Sequence, residues 1–267
     1  AYEMSASLVG SEMCIRDGIH PLSHWTESIL STPEEDTEPN VNYKKLFVQE
    51  NFLTVSISLT VAKKYLIKEI DAIRLLWLDI DTLLRSNPNP GSIMIMKNKK
   101  ASTLKLNRSI SLFLNRAITT NLSAQEAIEW QNIKSVNGSL KSVINLIEHT
   151  IDVINDQKCL KHLDFSPEGL RELTESHQIV LSGIQTLGAY LRTDDFKKKN
   201  ELSQRLFNHQ RRLLIAAREQ THLHLQRIAD NNVNAIETDA LHLEIQSLFN
   251  RLAGLICASI NLELEKP

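Results

Sequence analysis

The chain has 267 residues, and its 8 glycines and 7 prolines are about half the usual share of turn-forming residues, which disfavours a fold of many short β-strands. Hydrophobic residues make up 42% and charged residues 23%, so the chain is not disordered by composition and can bury a core in one large domain or two small ones. The net charge of -2 gives no electrostatic case for a nucleic-acid partner. The three cysteines, Cys14, Cys159 and Cys257, are far apart and form no CxxC pair, which indicates a reducing compartment. No apolar run approaches the length of about 18 residues that a membrane-spanning helix needs.

The amino terminus differs from the rest of the chain. Residues 1–17 show no sustained helical or strand period and lack the layout of a signal peptide. The run SLVGSEMCIRD, residues 7–17, resembles translated sequencing-adapter sequence. We therefore expect residues 1–17 to be an artefact that replaces a truncated upstream protein, with a genuine disordered terminus as the alternative.

Residues 18–45 combine a short amphipathic helix with an acidic linker. Leu22, Trp25 and Ile29 share one helical face, as in a short helix at an interface. Two prolines and four acidic residues then follow within 32–42, a composition that leaves little to bury.

Residues 46–160 carry the pattern of a three-helix bundle. Apolar residues at steps of three or four predict a first helix over 53–84, which the proline-rich turn at 87–91 ends. A second helix resumes near Ile93 or after Lys100, and Ser123 with Glu126 forms a capping box that opens a third. The apolar residues that we expect to face inward on the third helix are Ile128, Ile133, Val136, Leu140, Val143, Ile144, Ile147 and Ile151.

Residues 161–267 repeat this order as a second three-helix bundle. Ser166 and Pro167 favour the start of a fourth helix over about 168–192. Caps at 193–195 and at 238–239 predict a fifth helix over about 195–231 and a sixth over about 239–262. Residues 127–147 also align with 240–260, which favours an internal repeat of three helices.

No catalytic motif is present, since GxxxxGK[ST], GxSxG and HExxH are all missing from the sequence. His222 and His224 lie two residues apart and point to opposite sides of a helix, so they cannot hold one ion together. The candidate ligands in this region are therefore interpreted as solvated surface residues rather than a metal site: His209, His222, His224 and His242, with Glu219 and Asp239 one turn before two of them.

The clusters of basic residues are also interpreted as solvated surface residues. The tract just past the first hairpin is read as a solvated helix start, with contact to anionic lipid headgroups or to a transporter's loops as the alternative: Lys97, Lys99, Lys100, Lys105 and Arg108. Lysines 197–199 and the pair Arg211 and Arg212 are read in the same way. Trp77 and Trp130 fall on apolar stripes and are expected to anchor the core.

The order of helices, the capped third helix of each half and the sequence of residues 218–228 and 237–243 resemble the PhoU family. Within it, residues 21–30 and 43–47 most resemble the entry into the PhoU-like domain of sodium/phosphate cotransporter-family proteins. The resemblance covers about residues 18–264 and implies an all-α fold of two pseudo-repeated three-helix bundles side by side.

The same resemblance implies a function. We expect a cytosolic regulatory or accessory domain of a sodium-dependent phosphate transporter, on the cytoplasmic side of the bacterial inner membrane, with no catalysis and no cofactor of its own. Its partner would be a membrane transporter domain, in the same polypeptide or in another subunit, and a homodimer and contact with the membrane surface stay open. The alternative is a free-standing PhoU-type adaptor that regulates phosphate uptake and signalling by binding a transporter and a sensor kinase.

Some PhoU proteins hold metal clusters through an acidic residue and an Asp four residues later on the third helix of each half. The matching positions here are Asn137 and Lys141 in the first half and Asn250 and Gly254 in the second. An amide is a weak ligand, Lys repels a cation and Gly supplies no oxygen, so we expect no metal and disfavour a metal-dependent enzyme or phosphate sensor. An alignment shifted by one helical turn would not supply metal ligands either, because the neighbouring positions carry no carboxylate: Leu140, Ile144, Ala253 and Cys257.

Overall fold

The computed structural model describes residues 54–87, 90–116, 122–229 and 236–260, and within them it contains six long helices and no strand. The predicted all-α class is therefore confirmed. None of these described helices is both long and apolar enough to cross a membrane. The interpretations of residues 1–17 and 18–45 fall outside the described residues.

The first three helices are α1 (Val55–Arg85), α2 (Pro90–Arg116) and α3 (Ala124–Ile154). The predicted bounds of α1 hold within two residues, and the capping box at Ser123 is confirmed, with both reciprocal hydrogen bonds formed. α2 begins at Pro90, earlier than expected, because proline fits the first turn of a helix, where its missing N–H group is not needed.

One inward position of α3 was predicted wrongly. Ile128 is 37% exposed, whereas Ile133 and Leu140 are buried. Five residues separate Ile128 from Ile133, which places them about 140° apart around the helix. Ile128 therefore lies outside the buried face of α3, which Ile133 and Leu140 occupy.

A π-helical turn, Asn155–Cys159, follows α3 and places a lysine inside the protein. The Lys158 ammonium donates to the Ser86 carbonyl oxygen at 3.2 Å and to Asn87 Oδ1 at 2.9 Å. These bonds satisfy acceptors beyond the end of α1, where backbone carbonyls lack helical partners. The buried ammonium thus fastens the end of α3 to the end of α1.

The last three helices are α4 (Pro167–Arg192), α5 (Phe196–Ala229) and α6 (Asp239–Ala258). Ser166 Oγ accepts a hydrogen bond from the Gly169 N–H at 3.1 Å, and Asp195 Oδ1 accepts one from the Lys198 N–H at 3.1 Å, which confirms both predicted caps. Thr238 precedes α6, but its side chain makes no capping hydrogen bond. Its ψ of 8° is far from the extended conformation that directs a capping oxygen at the helix.

Helices α1, α2 and α3 pack on one another, as do α4, α5 and α6, and the two sets meet through α1 against α4 and α3 against α6. Lys63, near the start of α1, pairs with Asp194 just after α4, and the Arg192 guanidinium donates to Asp71 at 2.6 and 2.7 Å. α1 and α4 are therefore antiparallel at this seam. The division into bundles at 46–160 and 161–267 as independent units stays a prediction.

The predicted tryptophan anchors differ in burial. Trp77 is fully buried, as expected for a core anchor. Trp130 is half-buried: its Nε1 donates to the Leu114 carbonyl oxygen at 3.1 Å, and the Lys134 ammonium lies 4.5 Å from the ring centroid. Trp130 therefore lies at the edge of the core, with a cation over its ring.

Candidate functional site

A buried polar cluster crosses the core of the first three helices. Asn107 on α2 donates through Nδ2 to Glu69 Oε1 and to the Asn137 carbonyl oxygen, both at 2.8 Å. Asn137 on α3 donates through Nδ2 to Ser111 Oγ at 2.7 Å. The cluster therefore connects α1, α2 and α3 through hydrogen bonds deep in an otherwise apolar interior.

Glu69 is the titratable member of this cluster. Its side chain is fully buried, and burial raises its pKa from the usual 4.5 to about 8, against the opposing effect of the hydrogen bond from Asn107. A carboxyl with this pKa is mostly protonated at neutral pH, which avoids the cost of an unpaired charge in the core. The cluster is thus mainly neutral under physiological conditions.

The second three helices contain a polar cluster of their own. Gln246 on α6 donates through Nε2 to Gln220 Oε1 at 2.6 Å, and Ser176 Oγ on α4 donates to the same oxygen at 3.2 Å. His242 Nε2 lies 3.5 Å from Glu172 Oε2, and both side chains are buried. This cluster links α4, α5 and α6 as the first links α1, α2 and α3.

His242 corrects an expectation from the sequence. It was interpreted as a solvated partner of Asp239, but it is 1% exposed and faces Glu172 on α4. Its position four residues before Gln246 and three before Ile245 puts it on the buried face of α6. The spacing to Ile245 and Phe249 was the signal that could have revealed this burial.

The seam between α1 and α4 contains an aromatic cluster. Trp77 Nε1 donates to the His177 carbonyl oxygen at 3.0 Å, and His177 Nε2 lies 2.7 Å from the Trp77 carbonyl oxygen. The two rings stack with centroids 4.9 Å apart, and Phe249 of α6 meets Trp77 edge-on at the same distance. Burial lowers the pKa of His177, so a neutral imidazole fills this position.

Sequence reasoning missed both Glu69 and His177. Each lies on an apolar stripe: Glu69 lies between Leu66 and Ile73, and His177 follows Leu173 by four residues. A polar residue in phase with a buried stripe was the available signal. The partners Asn107 and Trp77 lie on other helices, so only the tertiary structure identifies them.

The other histidine candidates do not come together as a ligand set. His209 is half-buried, with Nε2 at 3.4 Å from Thr186 Oγ1, and burial lowers its pKa. His222 is exposed, as predicted, and lies 3.4 Å from the Gln226 amide. The side chain of His224 falls outside the described residues.

The four positions of the metal pattern have different environments. Asn137 is buried in the polar cluster, Lys141 is exposed, and Asn250 and Gly254 are half-buried on α6. Over 54–87, 90–116, 122–229 and 236–260, no three His, Cys, Asp or Glu side chains are grouped as a metal site would require. The absence of a bound metal stays a prediction.

A cleft of about 260 Å³ lies between the two sets of helices. It is lined by residues of both charges, among them Lys63, Glu129, Asp194 and Lys199. Because Lys63 already pairs with Asp194, the cleft offers no net charge that would attract phosphate. It therefore defines no anion site.

Three lysines of the basic tract of α2 form ion pairs at the protein surface. Lys97 contacts Asp152 at 3.0 Å, Lys99 contacts Asp79 at 2.9 Å, and Lys100 contacts Glu148 at 2.5 Å. The hydrogen bond and charge of Asp152 raise the pKa of Lys97. These pairs hold α2 against α1 and α3, which supports the structural interpretation of this tract over a lipid contact.

The fold and these clusters define an all-helical bundle protein with a buried, hydrogen-bonded polar cluster in each set of three helices. The chain is similar in sequence to proteins whose names refer to phosphate export. The chain is 24% identical over 251 residues to "Putative inorganic phosphate export protein YjbB" of Escherichia coli (strain K12) and to the protein of that name in Shigella flexneri. Each match covers 93% of this chain and 44% of the relative.

The protein of the same name in Salmonella typhimurium (strain LT2) is 30% identical over 159 residues, which are 60% of this chain and 28% of that protein. The chain thus spans less than half the length of the curated relatives it matches. No family model matches the chain, and no solved structure matches it significantly.

Proposed function

We propose that this chain is a PhoU-like accessory domain of a phosphate-transporting membrane protein, located on the cytoplasmic side, and that it regulates phosphate movement without catalysis of its own. One observation carries this proposal: the likeness to phosphate export proteins runs along 93% of the chain but covers only 44% of their length. This is the relation expected between one domain and a longer protein. Sodium coupling is the finer expectation that the resemblance adds.

The geometry favours regulation by packing over chemistry. Amide groups of both clusters hydrogen-bond to neighbouring buried side chains, and the cleft at the seam has balanced charge. The seam itself combines a buried aromatic contact at Trp77 with exposed ion pairs such as Asp71 with Arg192. Since exposed ion pairs contribute little energy each, a partner could exchange these pairs at small cost while the buried contact at Trp77 keeps the helices joined and passes the change to a transporter.

The test begins with the complete gene that encodes this chain. Radiolabelled phosphate flux is measured in cells that express the full protein, or the same protein without residues 46–267, at varied phosphate and sodium concentrations and at matched membrane levels. We expect the shortened protein to move phosphate with altered dependence on phosphate concentration. Unchanged flux at every concentration would contradict the proposal.

Two variants of α1 test whether the packing of the seam is needed for regulation. Trp77→Ala removes a buried side chain of the seam, whereas Leu75→Ala changes a side chain that is 50% exposed on the same helix. The first should reproduce the flux of the shortened protein and the second should not. A gene without membrane spans, whose product restores regulation when expressed separately, would favour the free-standing adaptor instead.

A further inference from the structure

One edge of α5 carries a straight row of exposed apolar side chains. Phe196, Phe207, Leu214 and Leu225 are exposed by 73%, 37%, 46% and 55%. Their separations of 11, 7 and 11 residues bring all four within about 20° of one another around the helix. The row runs for about 44 Å at 1.5 Å per residue, so it can meet a flat surface along its whole length.

Two arginines of a strongly basic helix lie on the same edge. Helix α5 has eight Lys or Arg residues and two Glu residues, although the whole chain has a net charge of -2. Arg211 and Arg218 fall between the apolar residues of the row, about 20–40° from Phe207 around the helix. The two acids of this helix, Glu201 and Glu219, lie about 120° away on the same scale.

The charges of α5 differ from those of α2 in one decisive respect. Three of the four lysines of α2, namely Lys97, Lys99 and Lys100, form ion pairs with acids on α1 and α3. Within the part of the chain that the structure describes, no ion pair forms to six exposed cations of α5: Lys197, Lys198, Arg205, Arg211, Arg212 and Arg218. Of these six, Arg211 and Arg218 lie on the edge of the apolar row, so their charges are available there to an external anionic partner.

We propose that this edge of α5 docks on the anionic headgroup layer of a membrane. In that layer an arginine can reach lipid phosphates while the neighbouring Phe and Leu side chains enter the boundary with the acyl chains. The core of a protein interface is depleted of charge, whereas this row alternates apolar residues with Arg. A second copy is disfavoured because it would place one strongly positive helix against another. The surface would serve a transporter domain or a free adaptor equally, so it does not depend on the proposed function.

The electrostatic part is tested by sedimentation of the 267-residue chain with vesicles of phosphatidylcholine alone or with 30% phosphatidylglycerol. Charge reversal by Arg211→Glu with Arg218→Glu should weaken binding to the anionic vesicles by about 30-fold or more, given the usual contribution of each cation near a charged bilayer. The matched control is Lys105→Glu with Arg108→Glu, the same change of charge on two exposed residues of α2. Binding of the control should stay within about 3-fold of the wild type.

The apolar part is tested at high salt, where charge attraction is screened. Leu214→Ser with Leu225→Ser should remove the residual binding, whereas Met94→Ser with Ile95→Ser, at exposed positions of α2, should not. Thermal midpoints within error of the wild type show that each variant is folded.

Three outcomes would overturn the proposal. They are an absence of wild-type binding, equal binding to neutral and anionic vesicles, and equal losses in the α5 and α2 variants. Tight binding to a polyglutamate peptide without any vesicle binding would assign the edge to an acidic protein partner.

Discussion

Replacement of Glu69 by Gln tests the buried cluster of the first three helices. The side chain is 0% exposed, and its Oε1 accepts a hydrogen bond from Asn107 at 2.8 Å. Gln has almost the same shape and can still accept that bond, but it cannot ionise. The substitution therefore removes the titration of this group while keeping its packing.

The magnitude follows from the pKa of Glu69, which burial raises from 4.5 to about 8. Between these pH values the folded protein binds a proton that the unfolded chain has lost, so the free energy of unfolding falls as the pH rises. Each pKa unit corresponds to about 1.4 kcal/mol, so the wild type should lose up to about 5 kcal/mol across this range. The Glu69→Gln protein should not show this loss.

Urea unfolding followed by circular dichroism at pH 5, 6, 7 and 8 provides the measurement. The variant should match the wild type within about 1 kcal/mol at pH 5 and should exceed it by several kcal/mol at pH 8. Other titrating groups cancel in this difference, and Glu129→Gln, at an exposed position of α3, serves as the control. Parallel curves for the wild type and the Glu69 variant would refute the reasoning.

Further outcomes follow from the core, the terminus and the metal positions. Trp77→Ala or Leu140→Ala should lower the free energy of unfolding by about 2–5 kcal/mol. Lys99→Ala, which breaks an exposed ion pair, should lower it by less than about 1 kcal/mol. Similar small losses for all three variants would show that the apolar residues were assigned to the wrong helix face. Deletion of residues 1–17 should leave the thermal midpoint unchanged, and a drop of several degrees would identify a native packed segment. Metal analysis of protein purified without chelator should find no stoichiometric metal, and titration with iron, zinc or magnesium should show no binding. A bound ion that is lost when Asn137 is replaced would support the metal-sensor alternative.

The sequence predicts the helices well because their signals are local. The capping box at Ser123, the cap at Asp195 and the start at Pro167 depend on contacts within a few residues. Thr238 shows the limit of such signals, since its residue type fits a cap but its backbone conformation does not. Propensity alone does not determine the dihedral angles on which a cap depends.

The candidate sites were predicted less well because polar residues on a helix can face water or the core. His242 and Glu69 are buried, while three lysines of α2 are held in ion pairs at the surface. A residue can be assigned to the buried face and still be exposed, as Ile128 is, so the helical pattern alone does not decide whether a polar residue faces water or the core. The absence of carboxylates at the family's metal positions, in contrast, is visible in the sequence alone.

Sequence by itself determined the all-α class, the helix bounds to within a few residues and the placement of most apolar stripes, because helical period and capping act over one or two turns. Only the tertiary structure decided which polar groups meet. Glu69 meets Asn107 and Trp77 meets His177 across 38 and 100 residues of chain, through the register of packed helices. The same register pairs three lysines of α2 with acids and leaves six cations of α5 exposed, because helix packing fixes which side chains lie opposite one another.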